Sequence, residues 1–243
     1  LYGKVEPAVA ARALTALTRL CGRKMAEEET KLGVLSADCS ANQLAIAKAG
    51  GVPSIISWLT NDDEEVQKEA AHALLAMATG NIQTQTMISK VEGLQGLIGL
   101  INRSCLEAQE HAALALWHLA YSTENQLAIA HTGGVPALVG MLGAAATKEG
   151  ERAAELSAVT MVRLAQGNPD VSQMVAEAGG IIPLVSLLKT DGSAAQQAAA
   201  ALAELGLVAS NRDAIANAGG IHPLIKLLNS PTVGTPETAA RAL

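Results

Sequence analysis

The chain has 243 residues, 49% of them hydrophobic, with no Phe, two Trp and two Tyr; a large core is available, but the stacking platforms of a single-strand nucleic-acid binder are missing. A net charge of −6 and a pI near 5.4 count against polyanionic nucleic acid or an anionic membrane as primary partner. Cys21, Cys39 and Cys105 form no C-x-x-C pair and suit a reducing compartment, and no run of about 18 apolar residues predicts a membrane span.

Leu1 to Glu6 reads as a loop, and Pro7 opens PAVAARALTALTRLC, a helix whose internal match is PETAARAL at Pro236. The chain opens on Leu rather than Met and stops inside an apparent helix, with Val9, Ala13, Leu17 and Leu20 on one apolar side. It is expected to be part of a longer protein whose further repeats cover both ends. The link from Cys21 to Asn42 is sixteen residues longer than the corresponding link from Ala120 to Asn125; the composition of MAEEETKLGVL predicts a helical insertion or an early start of the next helix.

A short helix is predicted near Ser40 to Ala49 and a second over Val52 to Leu59, where Trp58 takes the place held by Leu187 and Leu227 elsewhere and reads as core. In NDDEEVQKEAAHALLAMATG, Asp62 and Glu65 have capping-box spacing, while Val66, Ala70, Ala73, Leu74 and Met77 share one helical face. From Asn81 the pattern degrades: Val91-Glu92-Gly93 stands where other copies have a double glycine, and Gln95 where they have proline. A helix over Leu106 to Ala120 restores it.

The clearest copy is NQLAIAHTGGVPALVGML, Asn125 to Leu142. Asn125 is a candidate N-cap, Gly133-Gly134 can take the positive φ that ends a helix, and Pro136 fits a first helical turn. Gly143 to Gly150 is a lengthened turn, and Glu151 to Gln166, Ser193 to Val208 and Pro236 onward are long amphipathic helices. Gly51, Gly93, Gly134, Gly180 and Gly220, the second glycine of each corner, lie 42, 41, 46 and 40 residues apart. That period signals a helical solenoid.

A unit of about 40 residues with a short helix ended by A-G-G, a second begun by [VI]-x-P-L-[VI]-x-L-L and a long third helix resembles the armadillo repeat, with HEAT repeats as the nearest rival. The resemblance implies an all-α, right-handed α-solenoid of three-helix repeats: a partial repeat over 1–39, repeats over 40–80, 81–122, 123–167 and 168–209, and a partial repeat over 210–243. It also implies a concave groove, lined by third helices, that takes an extended peptide or a partner protein. In nuclear-import adaptors that groove carries tryptophan and, four residues on, asparagine. The matching pairs here are Thr15 and Arg19, His72 and Ala76, Leu114 and His118, Val159 and Arg163, and Ala200 and Glu204, none of which fits.

No G-x-S-x-G, phosphate loop or H-E-x-x-H occurs, so neither catalysis nor a cofactor is expected. His111 and His118 share a helix face, but seven residues of rise put them about 10.5 Å apart, too far for one metal. The expected partner-binding residues are Arg12, Arg19, Glu69, His72, His111, Leu114, His118, Arg163, Gln197 and Glu204, from the positions equivalent to the import tryptophan and asparagine and the position three before the tryptophan. Within them Arg19, His72, His118, Arg163 and Glu204 form the principal stripe, and the core columns beside it stay small or apolar. The expected role is a non-enzymatic interaction scaffold in the cytoplasm, with the nucleus as a second compartment. Rival readings are a substrate-recruiting module of a larger enzyme such as a ubiquitin ligase, and a receptor for basic cargo supported by Glu69, Glu110, Glu155 and Glu204.

Overall fold

Four corners of the chain are set by a glycine pair whose two members do different things. Gly50, Gly133, Gly179 and Gly219 take positive φ of 84°, 94°, 79° and 80°, ending the helix before them in the left-handed region where a side chain is strained. The N–H of Gly180 then bonds the Val175 carbonyl and that of Gly179 the Ala176 carbonyl, a Schellman closure repeated by Gly220 to Ile215 and Gly219 to Ala216. The second glycine answers to space rather than to φ. A Cβ on Gly51, Gly93, Gly134, Gly180 or Gly220 would sit 2.8, 2.7, 2.7, 3.0 or 3.0 Å from the carbonyl oxygen five residues back, on Ile46, Ile88, Ile129, Val175 or Ile215. The degraded copy fits this division: Glu92 replaces the first glycine at φ −59°, while Gly93 is kept.

The computed structural model describes residues 7–21, 32–90, 92–190 and 192–243, and among these it is helical with no strands. Two compact units divide the chain, Leu1–Leu119 and Ala120–Leu243. The first holds α1 (Pro7–Cys21), then α2 (Leu32–Lys48), α3 (Gly51–Trp58) and α4 (Glu64–Ala78), then α5 (Ile82–Lys90), α6 (Gly93–Arg103) and α7 (Leu106–Leu119). The second holds α8 (Thr123–His131), α9 (Gly134–Leu142) and α10 (Lys148–Ala165), with a 3-10 turn at Gly143–Ala146. It continues through α11 (Pro169–Glu177), α12 (Ile181–Leu187), α13 (Ser193–Leu205), α14 (Ala209–Asn217), α15 (Ile221–Leu227) and α16 (Thr235–Ala242).

Long third helices form the spine of each unit. In the first, α4 packs between α1 and α7; in the second, α13 packs between α10 and α16. The expected core column is buried: Val66, Ala70, Ala73, Leu74 and Met77 on α4, and Ala115, Leu116 and Leu119 on α7, are each no more than 1% exposed. Each large apolar side chain removed from water contributes roughly 1.5–3 kcal/mol, and the alanines between them let the backbones approach. Trp58 is half-buried, whereas Leu187 in the same phase is buried.

Several local expectations are corrected. The first helix of the second triplet does not begin near Ser40: α2 runs unbroken from Leu32, an early start that takes up part of the long link, while Gly22 to Lys31 lie outside the described residues. The N-cap of α4 is Asp63, not Asp62; its carboxylate accepts from the N–H groups of Glu65 and Val66, so Glu65 belongs to the first turn. The N-cap of α8 is Ser122, whose Oγ accepts from the Asn125 N–H, and Asn125 itself is inside the helix. In each case the residue with extended backbone wins the cap. The lengthened turn at Gly143 closes on Thr147, whose Oγ1 accepts from Gly150, so α10 begins before Glu151.

First helices are tied to third helices by buried amides. Gln43 Nε2 donates to the Ala76 and Thr79 carbonyls at 2.6 and 3.1 Å, and Gln126 Nε2 to those of Arg163 and Gln166 at 2.9 and 3.4 Å. These carbonyls end α4 and α10, where the helix has no N–H left to offer. Gln126 is 5% exposed, a sealing residue rather than an outer-surface one.

Candidate partner-binding face of the third helices

In the first unit, a residue at the position equivalent to the import tryptophan on one third helix meets the residue three before that position on the next. Thr15 Oγ1 of α1 donates to Glu69 Oε2 of α4 at 2.7 Å. One helix further on, the His72 ring stacks on His111 of α7, with centroids 4.6 Å apart and planes 12° from parallel. Burial lowers the His111 pKa, and the neighbouring His72 lowers it further; Glu69, the Lys68 backbone carbonyl and Glu107 act the other way. Its Nδ1 is buried with no hydrogen-bond partner among the described residues.

Lys68 fastens the same two helices, with Nζ 2.6 Å from Glu65 and 3.2 Å from Glu107. Its pKa is raised, first by the Glu65 hydrogen bond, with Glu107 adding to it against the opposing effect of desolvation. Towards the C-terminal end of α7, His118 Nε2 lies 3.3 Å from Thr79 Oγ1, and the imidazole stands edge-on to Trp117 at 4.8 Å and 83°. Leu114 is half-buried between the two histidines of its helix, while Arg12 and Arg19 are exposed on α1. Of the residues expected in this unit, Glu69, His72 and His111 are therefore brought together, and the two arginines stand out in solvent.

The second unit offers a different mixture. The Arg163 guanidinium lies over the Tyr121 ring at 5.7 Å. Gln197 is half-buried on α13. Glu204 is only 8% exposed, and its Oε1 is 2.6 Å from Arg241 Nη2 on α16. Its charge is matched within the unit.

Sequence reasoning missed three contributors: Lys68, Tyr121 and Arg241. Tyr121 lies in the turn after α7 and carried no periodic signal. Arg241 was within reach, because the match of PETAARAL to PAVAARAL puts it in the place of Arg12. Lys68 carried no signal, being one of several charges on an exposed helix turn.

Among the described residues no three His, Cys, Asp or Glu side chains gather so as to hold a metal, and no helix is long and apolar enough to cross a membrane. Each unit by itself presents polar and aromatic side chains on its third helices.

The profile of the armadillo/beta-catenin-like repeat matches residues 39–75 and 209–243. An engineered protein of known structure superposes on the whole chain with a TM-score of 0.85 and 31% identity, 92% of its own length being covered. The chain belongs to the armadillo-repeat family. A designed armadillo repeat protein solved in complex with the peptide (KR)4 shares the fold at a TM-score of 0.83 and 21% identity, over 99% of this chain and 94% of its own. Among natural armadillo relatives, human splicing regulator ARVCF is 32% identical over 100 residues, 40% of this chain and 10% of that protein. U-box domain-containing protein 12 of Arabidopsis thaliana is 26% identical over 108 residues, 44% of this chain and 16% of that protein. This armadillo chain thus spans 10–16% of the length of these curated relatives. Its fold class is all-α, an α-solenoid of armadillo repeats.

Proposed function

We propose that the chain is a non-enzymatic scaffold that binds an extended peptide or partner protein along its third-helix faces. The observation that carries this reading is the register of the polar residues: Thr15 with Glu69 and His72 with His111 occupy matching positions on successive helices, directly beside core columns of constant small and apolar character. Packing accounts for the core columns and leaves the variation beside them to a partner. The designed armadillo protein with its bound (KR)4 peptide shows that the fold can support such binding, although at 21% identity it lends only the fold. The reading includes residence in the cytoplasm and nucleus, which imaging of the tagged full-length protein tests.

The test is selection of peptides from a random 12-residue display library against the chain. Selected peptides should lose affinity for the Glu69→Ala and His72→Ala double variant and keep it for Arg212→Ala with Asp213→Ala, two exposed positions on α14. The reverse ordering, or a selection that enriches nothing, overturns the proposal.

A second reading, a substrate-recruiting module of a larger enzyme, is favoured by the similarity to a U-box protein. Assaying the full-length reading frame for ubiquitin-chain assembly decides it. A receptor for basic cargo has less support: Glu204 is neutralised by Arg241, and the tryptophan and asparagine pairs are absent.

A further inference from the structure

The unit Ala120–Leu243 has a second polar concentration, away from its third helices. An open cleft of about 380 Å³ lies between the turn that follows α12 and the body of α15, lined by Lys189, Thr190, His222, Pro223, Lys226 and Leu227 among others. Its sign runs against that of the chain. Aspartate and glutamate outnumber lysine and arginine by 23 to 17 overall, yet none of the described lining residues is acidic. Lys189 and Lys226 are both exposed, and neither has a carboxylate partner among the described residues.

The remaining walls are apolar or directional. Pro223 is buried and Leu227 half-buried, and both line the cleft together with Lys189 and Lys226. Thr190 Oγ1 donates to the Leu187 carbonyl, which fixes the turn that carries Lys189. Ser230 Oγ accepts from the Thr232 N–H and so can still donate its own hydrogen into the cleft. Two lysines, a hydroxyl donor and an imidazole beside the apolar Pro223 and Leu227 suit a segment that carries both carboxylates and apolar side chains.

We propose that the cleft between α12 and α15 is a docking site for an acidic protein segment in which carboxylate and apolar residues alternate. The carboxylates pair with Lys189 and Lys226, and the apolar side chains lie against Pro223 and Leu227. This site is independent of the third-helix face, since it lies on second helices and shares no residue with it. A charge-matched segment gains most from it at low ionic strength, because both lysines are solvent-exposed and screened by salt.

The experiment titrates fluorescein-labelled (Glu-Leu)4 with the 243-residue chain by anisotropy, at about 50 and about 300 mM salt. Binding should weaken at the higher salt. It should fall at least about tenfold in Lys189→Glu with Lys226→Glu, and be unchanged in Glu69→Ala with His72→Ala. The peptide (Lys-Leu)4 should bind more weakly than (Glu-Leu)4. If the charge-reversed protein melts early, Lys189→Gln with Lys226→Gln should give the same ordering. Retained affinity in the lysine variants, equal binding of the two peptides or no binding of (Glu-Leu)4 overturns the proposal. Displacement by oligothymidylate at equal concentration also overturns it, by making the cleft a general polyanion patch.

Discussion

The His72 ring of α4 lies flat on the His111 ring of α7, with centroids 4.6 Å apart, and so joins two third helices through stacked imidazoles. Two neutral imidazoles stack, whereas two imidazolium ions repel. Burial first and His72 second hold the folded-state pKa of His111 below its ordinary value. The unfolded chain therefore takes up the proton earlier as pH falls. The contribution of His111 to stability is complete above about pH 6.5 and is lost as pH drops towards the lower folded value. Melting temperatures between about pH 7.5 and about 5.5 should decline less steeply in His111→Gln than in the parent, and parallel slopes would reject the linkage.

Gln126→Ala should destabilise the chain by about 1–3 kcal/mol, because the terminal carbonyls of α10 then lose a buried donor. Arg212→Ala, which removes an exposed bond to the Gly206 carbonyl, should stay within about 0.5 kcal/mol. Urea melts of the two variants make the comparison.

Gly134→Ala and Gly140→Ala should have opposite effects. A Cβ at Gly134 meets the Ile129 Cγ2 at 2.5 Å and its carbonyl oxygen at 2.7 Å, which forces the corner open at a cost of about 1–3 kcal/mol. Nothing lies within 4 Å of a Cβ at Gly140, an exposed position inside α9, so alanine there should add about 0.5–1 kcal/mol of helix stability. Thermal melts that place both variants on the same side of the parent would contradict the packing described for the corner.

Arg241→Ala leaves Glu204 largely buried with its carboxylate unmatched, and should cost about 1–3 kcal/mol. Combining it with Glu204→Gln should restore most of that loss. A double variant as unstable as the single one would show that the pair acts through packing alone.

The glycine spacing and the apolar columns of α4 and α7 made the helical repeat legible, since both follow from period alone. Caps were less legible: Asp62 and Asp63 are chemically alike, and only the extended backbone at Asp63 selects between them. The same holds for Ser122 over Asn125. The pairs Thr15 with Glu69 and His72 with His111 join residues 54 and 39 positions apart, and they depend on how one helix is offset against the next, which no local pattern records. Nothing local marks Gln126 as buried; its reach to the Arg163 carbonyl is a tertiary fact.

The corner glycine also bears on how such a chain can change over time. The first glycine of the pair can be exchanged for a residue such as Glu92 by altering one backbone conformation, whereas a Cβ on the second would crowd the carbonyl oxygen and side chain five residues back. In all five copies a β-branched residue, Ile46, Ile88, Ile129, Val175 or Ile215, stands five positions before it. Added length has entered at 22–41 and 143–150, outside that interval every time. Repeats that have drifted past recognition by their double glycine can thus be located by a β-branched residue and a single glycine five apart, and segments exchanged between such chains should be cut outside that span.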